Sequence, residues 1–159
     1  MDSRHLLLDT FVHLAPLRML EDLSGDQAVR PPAPMMHSVA GLVAHMDFWQ
    51  QWFLQRCRGV AVPMAARAAD GWPDVTAVGW PTLVARFEEG LREVAGLGGD
   101  AEARATPIRP TIELPAMAGY TQHDAVVHVA QHNSHHLGQV VSARQVLGLW
   151  PPRAGSWTW

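Results

Sequence analysis

Apolar residues recur along this chain at helical spacing, in four segments separated by stretches rich in Pro and Gly. The first segment, residues 3–23, carries Leu7, Phe11 and Leu14 at steps of four and three. Pro16 lies inside it and is expected to kink or end that helix. Residues 24–36 hold Gly25 and three prolines, Pro31, Pro32 and Pro34, and read as a surface loop. A second helix is predicted from Ser38, as N-cap, to Gly59, as the C′ residue, with Leu42, Met46, Trp49 and Phe53 as its apolar stripe. Residues 60–79 form a long Ala-, Gly- and Pro-rich connection. Pro81 is a favourable first-turn residue for a third helix, which carries Leu83, Phe87, Leu91 and Val94 and is expected to stop at Gly96, Gly98 and Gly99.

Residues 100–118, with Pro107, Pro110 and Pro115, read as an irregular crossover. The fourth helix opens at Thr121, where Thr121 and Asp124 have capping-box spacing, and it closes at Gly148, Pro151 and Pro152. The pattern predicts an all-α protein: a four-helix bundle with long crossover loops, one domain over residues 1–159. The tail Ser156-Trp157-Thr158-Trp159 is aromatic enough that docking on the bundle is expected.

Composition narrows the function. With 159 residues, 48% hydrophobic and 17% charged, the chain can bury a core of its own. The net charge is −3, with no basic stripe, so a nucleic-acid partner is not expected. The single cysteine, Cys57, excludes an internal disulfide framework and is read as core packing. Neither a signal peptide nor an apolar run of bilayer length is read from the sequence, so a cytoplasmic location without membrane contact is expected. All 12 basic residues are arginine, to which no mechanism is attached.

The nine histidines require a physical account. In the segment His128-Val-Ala-Gln-His132-Asn-Ser-His135-His136-Leu-Gly-Gln139, residues His132 and His136 are four apart and share one helix face. That face is the apolar stripe of Val129, Val140 and Leu147, so both imidazoles point toward the core. An unpaired polar group there costs on the order of 1–3 kcal/mol. A shared metal ion satisfies both; so would hydrogen bonds in a purely structural bundle, and spacing alone leaves the two readings open. His45, beside the stripe of the second helix, is the best third ligand. Three neutral imidazoles would leave an open position for a water or a thiolate.

His128, one turn before His132 and rotated by roughly 40°, is read as packing or support behind a ligand. His123 and His135 are expected to be solvated. His5, His13 and His37 form no constellation in the sequence. Trp49 and Trp52 could supply an apolar wall or pack the core. Glu113 and Asp124 are carboxylates that the sequence cannot place.

The last-helix motif His132-Asn-Ser-His135-His136-Leu137-Gly138-Gln139, together with His45 in the context Ser38-Val-Ala-Gly-Leu-Val-Ala-His45-Met46, resembles the DinB-like metal-binding four-helix superfamily. The resemblance runs over residues 5–150. It departs at Leu137, where the family often has Arg, which bears on an anion contact there and not on the ligands. It implies that His45, His132 and His136 hold one divalent ion, zinc or nickel, in what is often a homodimer. Seven tryptophans, more than one small core requires, agree with a homodimer interface. Relatives of this kind include S-transferases that use a low-molecular-weight thiol and an isomerase that uses mycothiol. The expectation is therefore a metal-dependent thiol S-transferase with a small-molecule thiol and an electrophile as substrates. The alternatives are a metal-dependent hydrolase, with His128 as the nearest general base, and a non-catalytic metal- or small-ligand-binding stress protein.

Overall fold

A computed structural model describes residues 3–10 and 13–156. Six α-helices are present among them: α1 (Ser3–Leu7), α2 (Pro16–Leu20), α3 (Gly25–Val29), α4 (Val39–Cys57), α5 (Trp80–Gly99) and α6 (Gln122–Val146). Pairing of extended backbone among the described residues is limited to an isolated bridge between Pro107 and Thr121. The all-α expectation holds. Three long helices, α4, α5 and α6, pack on one another, and α1 and α2 lie against α5 and α6 where a continuous first helix would sit.

The first segment is interrupted at Pro16 as expected, but α1 already ends at Leu7. Pro16 has no N–H, and its ring disfavours helix at Ala15, which is extended at φ −50, ψ 138. Pro16 therefore starts α2 instead of continuing α1. Leu7 and Leu14 are buried as expected, while Phe11 lies outside the described residues. The tail residues Trp157 to Trp159 lie outside them too, so the expected docking of the tail falls there.

The segment read as a loop after Leu23 contains α3. Ser24 accepts from Gln27 N at 3.2 Å and Gln27 Oε1 accepts from Ser24 N at 2.9 Å, a reciprocal cap. The Ser-x-x-Gln signature was present in the sequence, but the prolines after it argued for loop.

The long helices follow their caps. Ser38 Oγ accepts from Gly41 N at 3.1 Å to open α4, and Gly59, at φ 85, ends it in the left-handed region. Thr121 and Asp124 cap α6 reciprocally, with Asp124 Oδ2 accepting from Thr121 N at 2.8 Å. Gly148, at φ 69, follows the end of α6. Helix α5 runs through Gly96 and Gly98 to Gly99 instead of stopping at them. Buried Val94, Ala95 and Gly98 hold that last stretch on the core, outweighing the roughly 1 kcal/mol that each glycine costs a helix.

Helices α4 and α5 lie close. Buried Asp47 accepts from Arg86 Nε at 2.6 Å. Gln50, fully buried, donates to the Phe87 carbonyl at 3.0 Å and accepts from Asn133 at 3.4 Å, so one amide joins all three long helices. Gly90 makes this approach possible: a Cβ there would lie 2.2 Å from Gln50 Nε2 and 2.8 Å from Gln51 Nε2. Gly90→Ala is expected to displace the Gln50 amide and destabilise the protein by about 1–3 kcal/mol. Urea unfolding measures this, and wild-type stability in the variant would show that the helices separate without cost.

The core that supports these helices is aliphatic and aromatic, with Leu42, Met46, Leu54, Phe87, Leu91 and Leu137 all fully buried. A buried Arg144 ties the end of α6 to α2 by donating to the Met19 carbonyl, and holds the turn after α6 by donating to the Leu149 carbonyl.

Candidate metal centre

Helix α4 brings His45, and α6 brings His132 and His136, to one point between the two helices. One ligand nitrogen from each residue lies within 4.8 Å of the other two. His45 Nε2 and His132 Nε2 are 3.2 Å apart. The ring centroids of His45 and His136 are 4.7 Å apart, and those of His132 and His136 are 4.5 Å apart. His45 and His136 are each 8% exposed, and His132 is half-buried. The i, i+4 spacing of His132 and His136 and the inward face of α4 at position 45 produce this convergence, as the sequence pattern predicts.

Hydrogen bonds orient two of the three rings. The Gly71 carbonyl accepts from His45 Nδ1 at 2.6 Å. The Gln139 amide oxygen accepts from His136 Nδ1 at 2.6 Å. A carbonyl only accepts, so each Nδ1 carries the proton and each Nε2 keeps its lone pair. Such a partner behind a histidine is what a ligating imidazole requires.

Electrostatics favour the neutral form of all three. Burial pushes His132 down to about 4, helped by His136 and His45. Burial also lowers His45, against the opposing Gly71 hydrogen bond, and lowers His136, against that of Gln139. Three imidazoles with depressed proton affinity therefore face one another. In the metal-free protein the His45–His132 contact can be one N–H···N hydrogen bond, with the proton on His132 Nε2. A zinc ion bound at 2.0–2.1 Å from each nitrogen sets tetrahedral ligand atoms roughly 3.3–3.4 Å apart. The His45–His132 spacing of 3.2 Å fits that requirement and the His136 nitrogen lies within 4.8 Å of both, so the donor set and one of its spacings fit a divalent ion.

The remaining histidines sort differently. The His128 Nδ1 is 3.2 Å from the Tyr120 hydroxyl and its ring packs against Phe53, so His128 is engaged outside the group of three, and burial lowers its pKa. His135 is exposed, as expected. His123 is half-buried, with Nδ1 buried and lacking a hydrogen-bond partner, which corrects the expectation of a solvated ring. Asp124 is occupied in capping α6, and its carboxyl is held below the usual range by hydrogen bonds from Thr121. Glu113 is exposed on the crossover. Cys57 is half-buried, and burial pushes its thiol up to about 11, which agrees with packing.

Of the two readings open for Trp52, packing is the one the structure supports. Trp52 is buried and donates to the Pro63 carbonyl at 2.9 Å, so it packs under the long connection. The tryptophan that touches the cluster is Trp72, stacked on His45 at 3.8 Å between centroids and 8° between planes. His37 stacks on the opposite face of Trp72 at 3.6 Å and 10°. Sequence reasoning missed both, because they stand in aperiodic segments and meet His45 only through the fold. Leu137, where the resemblance departs from the family pattern, is a fully buried core residue.

An all-α chain with a cluster of three histidines between two of its long helices defines a class of candidate metalloproteins. Comparison with family models identifies it further: the DinB superfamily model matches residues 15–140, a span that contains all three histidines, and the chain belongs to that superfamily. No curated protein and no solved structure matches the chain. No helix among the described residues is long and apolar enough to cross a membrane.

Proposed function

We propose that this protein is a metal-dependent S-transferase that joins the sulfur of an intact low-molecular-weight thiol to the carbon of an electrophile, releasing the thiol proton and displacing a leaving group or opening a ring, with a divalent ion, zinc or nickel, held by His45, His132 and His136. One observation carries the proposal: three imidazole nitrogens from two helices converge within 4.8 Å, and two of the rings are oriented from behind by Gly71 and Gln139. No carboxylate or thiolate belongs to this group among the described residues. When bound, a divalent ion on three neutral ligands keeps its full charge and supplies Lewis acidity that lowers the pKa of a thiol at an open position.

The chain's own residues do the rest. The Gly71 carbonyl and the Gln139 amide hold the Nδ1 protons of His45 and His136, which keeps both Nε2 atoms available. Burial disfavours protonation of all three rings, which favours the neutral, ligating form of each. The indole of Trp72 covers one face of His45 and shields it from water.

The test is titration with cobalt as a visible-spectrum surrogate, followed by thiol and then by a halogenated aromatic or an epoxide. The expected result is a ligand-field change on thiol addition, absent in His136→Ala, and thiol-dependent loss of the electrophile. Thiol-independent ester or amide hydrolysis would replace this reading with a hydrolase. Metal binding without turnover of either kind would replace it with a binding module.

A further inference from the structure

The connection between α4 and α5 does more at the histidine cluster than its Ala-, Gly- and Pro-rich sequence indicates. Residues 68–71 form a 3-10 turn, closed by Asp70, whose carboxylate accepts from Arg67 N at 3.0 Å. The turn delivers Gly71, buried, with its carbonyl 2.6 Å from His45 Nδ1. A side chain at Gly71 is disfavoured by Trp49, whose indole would lie 3.1–3.5 Å from a Cβ there. The next residue, Trp72, lays its indole flat on His45, at 3.8 Å and 8°. Its edge meets the His136 ring at 5.8 Å and 90°, and its far face carries His37 at 3.6 Å and 10°.

Two consecutive residues thus restrain one imidazole in independent ways. The carbonyl sets the tautomer and the direction of Nε2. The indole sets the plane of the ring, and the His37 ring backs the indole from the other side. An imidazole that gives its lone pair to a cation becomes electron-poor, and indole is the most electron-rich of the protein π faces. The stack therefore favours the ligating state of His45 as well as its orientation. The geometry points to a role not evident from the helices alone: we propose that Trp72, backed by His37, is a positioning residue that holds His45 in its ligating orientation. This rests on the reading that His45, His132 and His136 bind a divalent ion.

The experiment compares full-length wild type, Trp72→Leu, Trp72→Phe and His37→Ala, with His136→Ala as reference. Zinc alone is the probe, in competition with a chromophoric chelator, and cobalt spectra report the ligand field. Leu fills much of the volume without a π face, so its effect is not simply that of an empty space. Trp72→Leu is expected to weaken zinc by about 10- to 100-fold, the range for residues that orient a ligating histidine, and to shift the cobalt bands. Trp72→Phe is expected to restore the spectrum and to bind zinc within about 3-fold of wild type, since a ring face is retained. His37→Ala is expected to lie between them.

Wild-type zinc affinity and cobalt spectrum in Trp72→Leu would overturn the proposal. Equal losses in Trp72→Leu and Trp72→Phe would overturn it too, because a loss that ignores the ring face is a packing effect. If Trp72→Leu does not fold, judged by circular dichroism, Trp72→Phe and His37→Ala decide: a wild-type spectrum in the first with weakened zinc in the second supports the stack, and unaltered zinc affinity in the second overturns it. If wild type and His136→Ala bind zinc equally poorly, the ion assignment falls and the proposal with it. If only His136→Ala loses zinc and Trp72→Leu does not, the ion assignment stands and the stack alone fails.

Discussion

Replacing His132 or His136 with alanine is expected to remove stoichiometric zinc, with affinity falling by more than about 100-fold, beyond the range seen when only a supporting residue is lost. Either change leaves one imidazole on α6 to meet His45 on α4. Zinc at 100 times its dissociation constant stabilises a protein that binds it only when folded by about 2.7 kcal/mol. The wild type should therefore melt at a higher temperature when zinc is added, and neither variant should.

His45→Ala should behave differently. It leaves His132 and His136, four residues apart on one helix, as a weak chelating pair. Residual zinc binding is expected there, but with little gain in stability, since the ion would no longer bridge α4 and α6. His128→Ala and His135→Ala should keep the metal. Equilibrium dialysis with metal analysis, paired with thermal melts, checks all five variants. Full retention in both His132→Ala and His136→Ala would sink the assignment.

The cluster was legible in the sequence because its signal is local. His132 and His136 lie on one helix, and the turn rule places them together without knowledge of the fold. Position 45 could be nominated because the stripe of Leu42, Met46 and Trp49 marks the inward face of α4. The caps of α4 and α6 were legible for the same reason: Ser38, Thr121 and Asp124 act within three residues of themselves.

What was not legible depends on contacts between distant parts of the chain. Gly71 is 26 residues from His45, and no period in the segment 60–79 announces that its carbonyl turns inward. Trp72 and His37 share that difficulty. The first helix failed for a different reason. Leu7 and Leu14 are both buried, as a helical stripe requires, but Pro16 gives the backbone a new start, and the two leucines reach the core from separate segments. Burial pattern alone does not distinguish one long helix from two short pieces.

Acid should destabilise the metal-free protein through this same cluster. The sign follows from the direction of the shifts. His132 ionises at about 4 in the folded chain against an ordinary 6.5 when unfolded. Between those values the unfolded chain takes up a proton that the folded chain refuses, so unfolding becomes more favourable as pH falls. His132 exacts no penalty above about pH 6.5; the penalty on the folded state grows as pH falls and is complete by about pH 4. The shift corresponds to about 2–3 kcal/mol, allowing for partial solvent access to the ring.

His45, His136 and His128 are lowered as well and act in the same direction. Asp124, whose carboxyl is held low, contributes only at more acidic pH, where its hydrogen bonds with Thr121 are lost. Urea unfolding in the presence of chelator, at several values between pH 7 and pH 4.5, should therefore show a steady loss of stability. His132→Asn cannot ionise and should flatten the curve in that interval. An equal slope in wild type and His132→Asn would mean that His132 is not held neutral in the folded protein, and the case for three lone-pair donors at one point would lose its electrostatic support.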